Sequence, residues 1–202
     1  MNQKQLEDYI KKAADTLTGM AESADVKQFI FPILFYKRIS DVWDQEHQDA
    51  LELFDNDVDS AKLRENYRFQ ISEDCHWEDI RSTATDIGSK IQKSLREIEN
   101  ANFKQLHGVF GDAQWTNKRI LSDAKLIDLV EQLSGQTLSK ENISDDTMGA
   151  GFEFLVKEFA QDTGHTAADF YTNRTVIDLV LELANPQPGE SIYDPACGSG
   201  GF

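Results

Sequence analysis

The residues with the greatest chemical potential stand at the end of the sequence, in Tyr193-Asp-Pro-Ala-Cys-Gly-Ser-Gly-Gly-Phe202. Asp194 offers a carboxylate, and Gly198, Gly200 and Gly201 offer a bend with little side chain. Glycines at such a bend permit positive φ and let a ligand come close to the backbone. A strand that ends in an acid and enters a glycine-dense turn fits the first βα crossover of a Rossmann-like sheet, where ligands sit beyond the carboxyl ends of the strands. No Gly-Lys-Ser/Thr follows, so this is not a phosphate loop, and the glycines are clustered rather than spaced as in dinucleotide folds. A carboxylate there suits a ligand with cationic groups, and S-adenosylmethionine carries a sulfonium and an ammonium. For the glycine cluster alone an ordinary turn is an open alternative; the string from Asp194 to Phe202 is more specific.

Other chemistry is sparse. Cys75 and Cys197 are far apart with no CxxC pair, and His47, His76, His107 and His165 show no HxxxH spacing. Neither a zinc site nor a redox dithiol is indicated, so no metal is expected.

The elements that must position the loop read as helices. Leu6, Tyr9, Ile10, Ala13, Ala14 and Leu17 form one stripe at helical spacing, closed by Gly19. A second helix starts near Asp25, with Phe29, Ile30, Ile33, Leu34, Tyr36, Ile39, Val42 and Trp43 on a wide apolar face. Pro32 lies within it and is expected to kink it or to mark where a fresh helix begins. Tyr67, Phe69 and Ile71 alternate with polar residues as a short strand or extended segment would, and Trp77 and Ile80 are expected to pack a turn onto the core. Further helices follow at Ile87–Ile98, from a Ser122 cap to Gly135, from about Asp146 to Gln161 with Gly164 breaking it, and from about Arg174 to Ala184. Asn185-Pro-Gln-Pro-Gly189 ends the last one, and Ser191–Asp194 reads as a short buried strand feeding the loop. The expected fold is mainly α: a helical N-terminal domain over 1–145, then over 146–202 the start of a Rossmann-like α/β domain. One strand cannot complete such a domain, so it is expected to be cut short at Phe202.

The 202 residues carry a net charge of -16, with 40% hydrophobic and 28% charged residues. That composition supports a packed core and argues against general disorder. A free-standing DNA-binding protein normally shows a basic face; if this chain works on DNA, a further region or a partner subunit is expected to supply most phosphate contacts. Between Asp41 and Ser60 there are eight acids and no Lys or Arg. They read as a solvated helix end running into a loop, with a docking face for a basic partner as the alternative. No apolar run approaches the roughly 18 residues needed to span a bilayer, and the N-terminus lacks the apolar stretch of a signal peptide. The default expectation is a reduced, cytoplasmic protein with no membrane partner.

The string Asp194–Phe202 resembles motif I of the N6-adenine DNA methyltransferases, specifically the modification subunit of type I restriction-modification systems. Three further stretches are similar to that family. They are Asp169-Phe-Tyr-Thr-Asn-Arg174, against the family's F-Y-T-P-R element; the connector Asn185–Glu190; and Ala14–Gly19 with Phe31-Pro-Ile-Leu-Phe-Tyr-Lys-Arg-Ile-Ser-Asp41 in the helical N-terminal domain. The resemblance implies that a pocket for S-adenosylmethionine is built from Asp169, Phe170, Tyr171, Thr172, Asn173 and Arg174 together with Asp194, Pro195, Cys197, Gly198, Ser199, Gly200 and Gly201. Physically, Phe170 and Tyr171 offer flat apolar surface, Thr172 a hydroxyl, and Arg174 a bidentate grip on a carboxylate. Each also has a plainer reading: Phe170 as core filler, Thr172 as a helix cap, Arg174 as a surface residue. Asn173 departs from the family's proline, which would preset φ at a helix start.

The resemblance further implies methyl transfer to adenine N6 of duplex DNA, with a DNA specificity subunit and a restriction subunit as partners. The family's catalytic Asn-Pro-Pro-aromatic tetrapeptide, which holds a flipped adenine, does not occur in the sequence, so residues 1–202 alone are expected to be inactive. Two alternatives stand beside this reading. One is a helical interaction module that docks the specificity subunit and DNA without catalysis of its own. The other is an unrelated small-molecule methyltransferase sharing only motif I.

Overall fold

The computed structural model describes residues 1–17, 23–161, 172 and 174–197, with the backbone alone described at 23–25, 27, 159–161 and 174. The chain divides into two compact units, Met1–Phe159 and Ala160–Phe202. Among the described residues the first unit is helical, as expected, and holds no strand. Its helices are α1 (Gln3–Asp15), α2 (Ser23–Leu53), α3 (Val58–Ala61), α4 (Trp77–Arg81), α5 (Ile87–Ala101), α6 (Phe103–Leu106), α7 (Asp123–Ser134) and α8 (Asp145–Gln161), with a single 3-10 turn at Arg64–Asn66.

The helical stripe of α1 is buried at Leu6, Tyr9, Ile10 and Ala13. Its start is fixed by a reciprocal cap: Gln5 N donates to Asn2 Oδ1 at 2.9 Å, and Asn2 N to Gln5 Oε1 at 2.9 Å. Such a cap satisfies two backbone donors that a helix start leaves open. Tyr9 then reaches α7, its hydroxyl donating to Leu133 O at 2.5 Å; burial pushes that phenol well above its ordinary range. Gly19, expected to close α1, lies outside the described residues.

At 31 residues α2 is the central pillar. It passes through Pro32 without restarting, so no fresh helix begins there. An interior proline costs a helix about 3 kcal/mol or more. Here Phe29, Ile30, Ile33 and Leu34 flank it and are all buried. At about 1.5–3 kcal/mol for each such side chain, their packing outweighs the loss.

Polar side chains of α2 bind groups far along the chain. Tyr36 Oη donates to Cys75 O at 2.7 Å, and Ser40 Oγ accepts from Trp77 N at 2.9 Å. Asp41 Oδ2 accepts from Leu138 N at 2.6 Å while Lys37 Nζ pairs with the same carboxylate. Arg38 donates to Leu138 O and, at 2.8 Å, to Asp145 Oδ1. Gln45 Oε1 accepts from Lys140 N at 2.9 Å. These bonds correct the reading of 41–60 as a uniformly solvated acidic run. Asp41 is buried, Glu46 bonds Arg68 N and Lys140 Nζ at 2.9 and 2.6 Å, and the helix continues to Leu53. A buried carboxylate is tolerated because a cation and a backbone N–H both meet it.

Tyr67–Ile71 is extended in part but is not a strand. The reason lies in Asn102, a buried residue. Its Oδ1 accepts from Gln70 N and its Nδ2 donates to Gln70 O, both at 2.8 Å. One side-chain amide thus takes the place that a neighbouring strand would fill. Tyr67 stacks on Trp43 at 4.8 Å between centroids and 11° between planes.

Trp77 and Ile80 do pack on the core, as α4. In α5, Ile87, Ile91, Leu95 and Ile98 are buried; in α7, Leu126, Leu129, Val130 and Leu133 are. Ser122 caps α7 and Gly135 ends it. α7 packs against α1, α4 and α5. In α8, Met148 and Leu155 are buried and Phe152 packs against the core, whereas Val156 is exposed.

Candidate functional site

The residues singled out by the sequence fall on the second unit, around one helix and the segment after it. α9 (Arg174–Ala184) forms where Val176, Ile177, Val180 and Leu181 recur at helical spacing. It stops for a local reason. Asn185 N still bonds Leu181 O at 2.8 Å, but Asn185 itself turns left-handed at φ 43°, and Pro186 cannot supply the next donor. The connector then folds into a turn. Gln187 N donates to Glu190 Oε2 at 2.8 Å, Glu190 N to Gln187 O at 3.1 Å, and Gly189 adopts φ 91°, a value that favours glycine.

One expectation fails in this region. Ser191–Asp194 is not a buried strand: Ile192 is 76% and Tyr193 87% exposed, and no described residue pairs with their backbone. A strand requires a neighbour for its N–H and C=O groups, and none is supplied among the described residues. The apolar face of α9 is also mostly open. Ile177 is buried, while Val176, Leu179, Val180 and Leu181 are exposed. An amphipathic helix in an α/β layer needs a sheet beneath it, and no strand occurs among the described residues.

Of the candidate cofactor residues, Thr172 is exposed, Arg174 opens α9, and Asp194, Pro195 and Cys197 stand on the turn after the extended segment. Asp194 is half-buried, and its Oδ1 accepts from Ala196 N at 2.8 Å. That bond ties the turn with one carboxylate oxygen. The described residues give Oδ2 no hydrogen bond, so an acceptor is available to a cationic or hydroxyl-bearing ligand. The acceptor chemistry therefore fits an ammonium-bearing ligand at this one residue. Asp169, Phe170, Tyr171, Asn173, Gly198, Ser199, Gly200 and Gly201 lie outside the described residues. No group of three or more His, Cys, Asp or Glu side chains that could hold a metal occurs among the described residues.

What the sequence reading missed is the polar set on α2, Lys37, Arg38 and Asp41. They touch no candidate ligand; they hold residues 138–145, from which α8 starts. The available signal was an i, i+4 Lys–Asp pair inside a helix apolar on nearly all sides, a place where charges are kept only if paired.

Comparison with known proteins finds two families along the chain. The HsdM N-terminal domain family matches residues 6–133, and the N-6 DNA Methylase family matches residues 143–202. The type I restriction enzyme MpnII methylase subunit of Mycoplasma pneumoniae is 26% identical over 230 residues, spanning 96% of this chain and 42% of its own length. The type I restriction enzyme MjaIX methylase subunit of Methanocaldococcus jannaschii is 25% identical over 218 residues, spanning 98% of this chain and 38% of its own. A shorter match, 37% identical over 57 residues, is to the type I restriction enzyme HindI methylase subunit of Haemophilus influenzae, spanning 28% of this chain and 13% of the relative. The chain thus spans about two fifths of the length of the first two relatives. It belongs to the HsdM N-terminal domain family and is similar along nearly its whole length to methylase subunits of type I restriction enzymes.

Proposed function

We propose that the complete protein is the modification subunit of a type I restriction-modification system, transferring a methyl group from S-adenosylmethionine to adenine N6 in duplex DNA. The observation that carries this is the N-6 DNA Methylase match over residues 143–202, the stretch that includes both cofactor motifs. The names of the relatives support the restriction-modification setting. In this reading residues 1–145 form the helical domain and 146–202 begin the methyltransferase domain. The open face of α9 and the extended Ile192 and Tyr193 receive a sheet of Rossmann-like type. S-adenosylmethionine supplies the methyl group when bound. This chain's own residues bind and orient it: Asp194, Pro195, Cys197, Gly198, Ser199, Gly200 and Gly201 on one side, Asp169, Phe170, Tyr171, Thr172, Asn173 and Arg174 on the other. The DNA specificity subunit and the restriction subunit are its partners. The setting is cytoplasmic, consistent with the lack, among the described residues, of any helix long and apolar enough to cross a membrane.

A compact helical unit with a family match of its own, distinct from the methylase match, favours a second role for it: docking the specificity subunit and DNA.

The test is methyl transfer from labelled S-adenosylmethionine to DNA by the complete protein assembled with its specificity subunit. N6-methyladenine is the expected product. Asp194→Ala is expected to weaken cofactor binding about tenfold or more, as loss of a charge-assisted contact does. Methylation of cytosine, or full cofactor affinity in the variant, refutes the assignment. Residues 1–202 alone are expected to show no transfer, and detectable transfer contradicts the reading.

A further inference from the structure

Along α1 the first unit opens into a cleft of about 670 Å³, to which the methylase reading gives no part. One wall is α1, with Gln5, Asp8 and Lys12; the other is the end of α7 and the segment after it, with Gln132, Gln136 and Asn142. Both walls are tied down. The Tyr9 hydroxyl holds α1 to Leu133 O, and Ser134 Oγ accepts from Trp77 Nε1 at 2.9 Å while donating to Val130 O at 2.7 Å. The cleft is therefore formed before anything enters it, which lowers the ordering cost of binding.

Pockets for small molecules are mostly apolar; carboxamides dominate this one. Gln5 uses its Oε1 on Asn2 N, and Asn142 its Nδ2 on Thr137 O at 3.3 Å. That leaves Gln5 Nε2 as a donor and Asn142 Oδ1 as an acceptor. The side chains of Gln132 and Gln136 make no hydrogen bond among the described residues. Elsewhere in this chain such amides bind main chain: Asn102 takes both groups of Gln70, and Gln45 Oε1 accepts from Lys140 N and Glu141 N. Tyr9, the one aromatic side chain among the described lining residues, is 6% exposed, so it offers no face on which a base could stack.

Asp8 and Lys12 add charge to this lining. Both are exposed and stand one turn apart, yet neither makes an ion pair among the described residues. Neighbouring Lys11 does pair, with Glu158 at 3.7 Å. Side chains one turn apart on a helix are separated by about 5–6 Å, and alternate side chains on one face of an extended chain by about 6.5 Å. An extended peptide laid along α1 thus brings residues i and i+2 to Asp8 and Lys12.

We propose that this cleft binds an extended segment of a partner protein. The carboxamides hold its main chain, and a cationic and an anionic side chain two residues apart meet Asp8 and Lys12. Duplex DNA is disfavoured as the occupant, since Asp8 would face phosphates. The docking is independent of the methylase reading, because the candidate cofactor residues all belong to the second unit.

Fluorescence anisotropy of this chain with a labelled, end-capped peptide, Thr-Lys-Thr-Glu-Thr, tests it; threonine favours the extended form. Saturable, sub-millimolar binding is expected. Asp8→Lys is expected to weaken it about tenfold, because it sets like charges together. The same variant is expected to take up Thr-Glu-Thr-Glu-Thr, which the unaltered chain binds poorly. Gln136→Ala is expected to weaken binding about two- to tenfold, as loss of one hydrogen bond does. Both positions are exposed, and circular dichroism melts matching the unaltered protein show that the variants are folded. No binding up to millimolar peptide, binding unchanged by either substitution, an Asp8→Lys variant that ignores the acidic peptide, or full displacement of the peptide by duplex DNA overturns the inference.

Discussion

Gly88 is where helix propensity and packing give opposite signs. Alanine is preferred over glycine in a helix by up to about 0.5–1 kcal/mol, so propensity alone makes Gly88→Ala stabilising. In the structure the added Cβ would stand 2.1 Å from Trp115 O, 3.0 Å from its carbonyl carbon and 3.3 Å from Leu126 Cδ1. Ordinary contact between carbons lies at about 3.5–4.0 Å, so the Trp115 backbone must retreat by more than about 1 Å. It cannot do so freely, because the Trp115 ring is buried and meets Phe29 edge-on at 5.2 Å between centroids. Overpacking of a core costs about 1–3 kcal/mol, and a clash with backbone belongs at the upper end. The net expectation is a loss of about 2 kcal/mol. For a chain of this size that lowers Tm by about 4–8 °C. Gly149→Ala is the control: Gly149 is exposed on α8 with no neighbour within 4 Å of the new atom, and it is expected to gain about 0.5–1 kcal/mol. Urea melts of both variants at constant m give the comparison. If Gly88→Ala is as stable as the parent, the close approach of α5 to Trp115 is wrong.

Three other substitutions probe the polar ties. Arg38→Ala removes a buried guanidinium that bonds Leu138 O and Asp145 Oδ1, and a loss of about 2–4 kcal/mol is expected from the urea midpoint. The hydrogen bond from Arg38, more than the added pull of Arg68, holds the Asp145 carboxyl below its ordinary range against the opposing effect of burial. Its contribution is therefore complete above the unfolded value of about 3.9 and is lost as pH falls through the depressed folded value; Asp145→Asn is expected to flatten stability against pH in that acid window. Asn102→Ala frees both Gln70 bonds and is expected to cost about 1–3 kcal/mol, read as loss of amide-exchange protection at Gln70.

The helices written in the sequence by apolar spacing appear where that spacing put them. α1, α5, α7 and α9 each carry a strict i, i+3, i+4 stripe, and Ser122 and Gly135 mark both ends of α7. Signals that depend on a distant partner were less readable. The alternation at Tyr67, Phe69 and Ile71 is that of a strand, but the group opposite is the Asn102 amide, over 30 residues away in sequence. Acids along 41–60 look alike in sequence, yet Asp41 is buried because Lys37 sits one turn before it and Leu138 N meets it. Pro32 signals a helix boundary, and only the buried neighbours on both sides override that signal. After α9 the connector turn was legible; the exposure of Ile192 and Tyr193 was not, because burial is set by the layer that covers a strand rather than by the strand itself.

The family-like stretch Phe31–Asp41 is easily taken for a substrate-contacting motif, since it places Lys37, Arg38 and Asp41 within two turns. The structure argues against that use. A buried ion pair is a weak source of net stability, because desolvation offsets most of the attraction; its stronger effect is to fix register. Lys37 holds the Asp41 carboxylate, whose Oδ2 then fixes Leu138 N, while Arg38 fixes Leu138 O and Asp145 at the first turn of α8. These charges therefore set where the segment matched by the N-6 DNA Methylase family begins. Lys37→Met leaves a carboxylate buried without its cation and is expected to cost about 3 kcal/mol or more. Replacing Asp41 by Leu as well restores little, because Leu138 N then has no acceptor. A folded double variant as stable as the parent would contradict the register argument, since only a pair dispensable to the backbone around residue 138 could be exchanged for apolar side chains without loss.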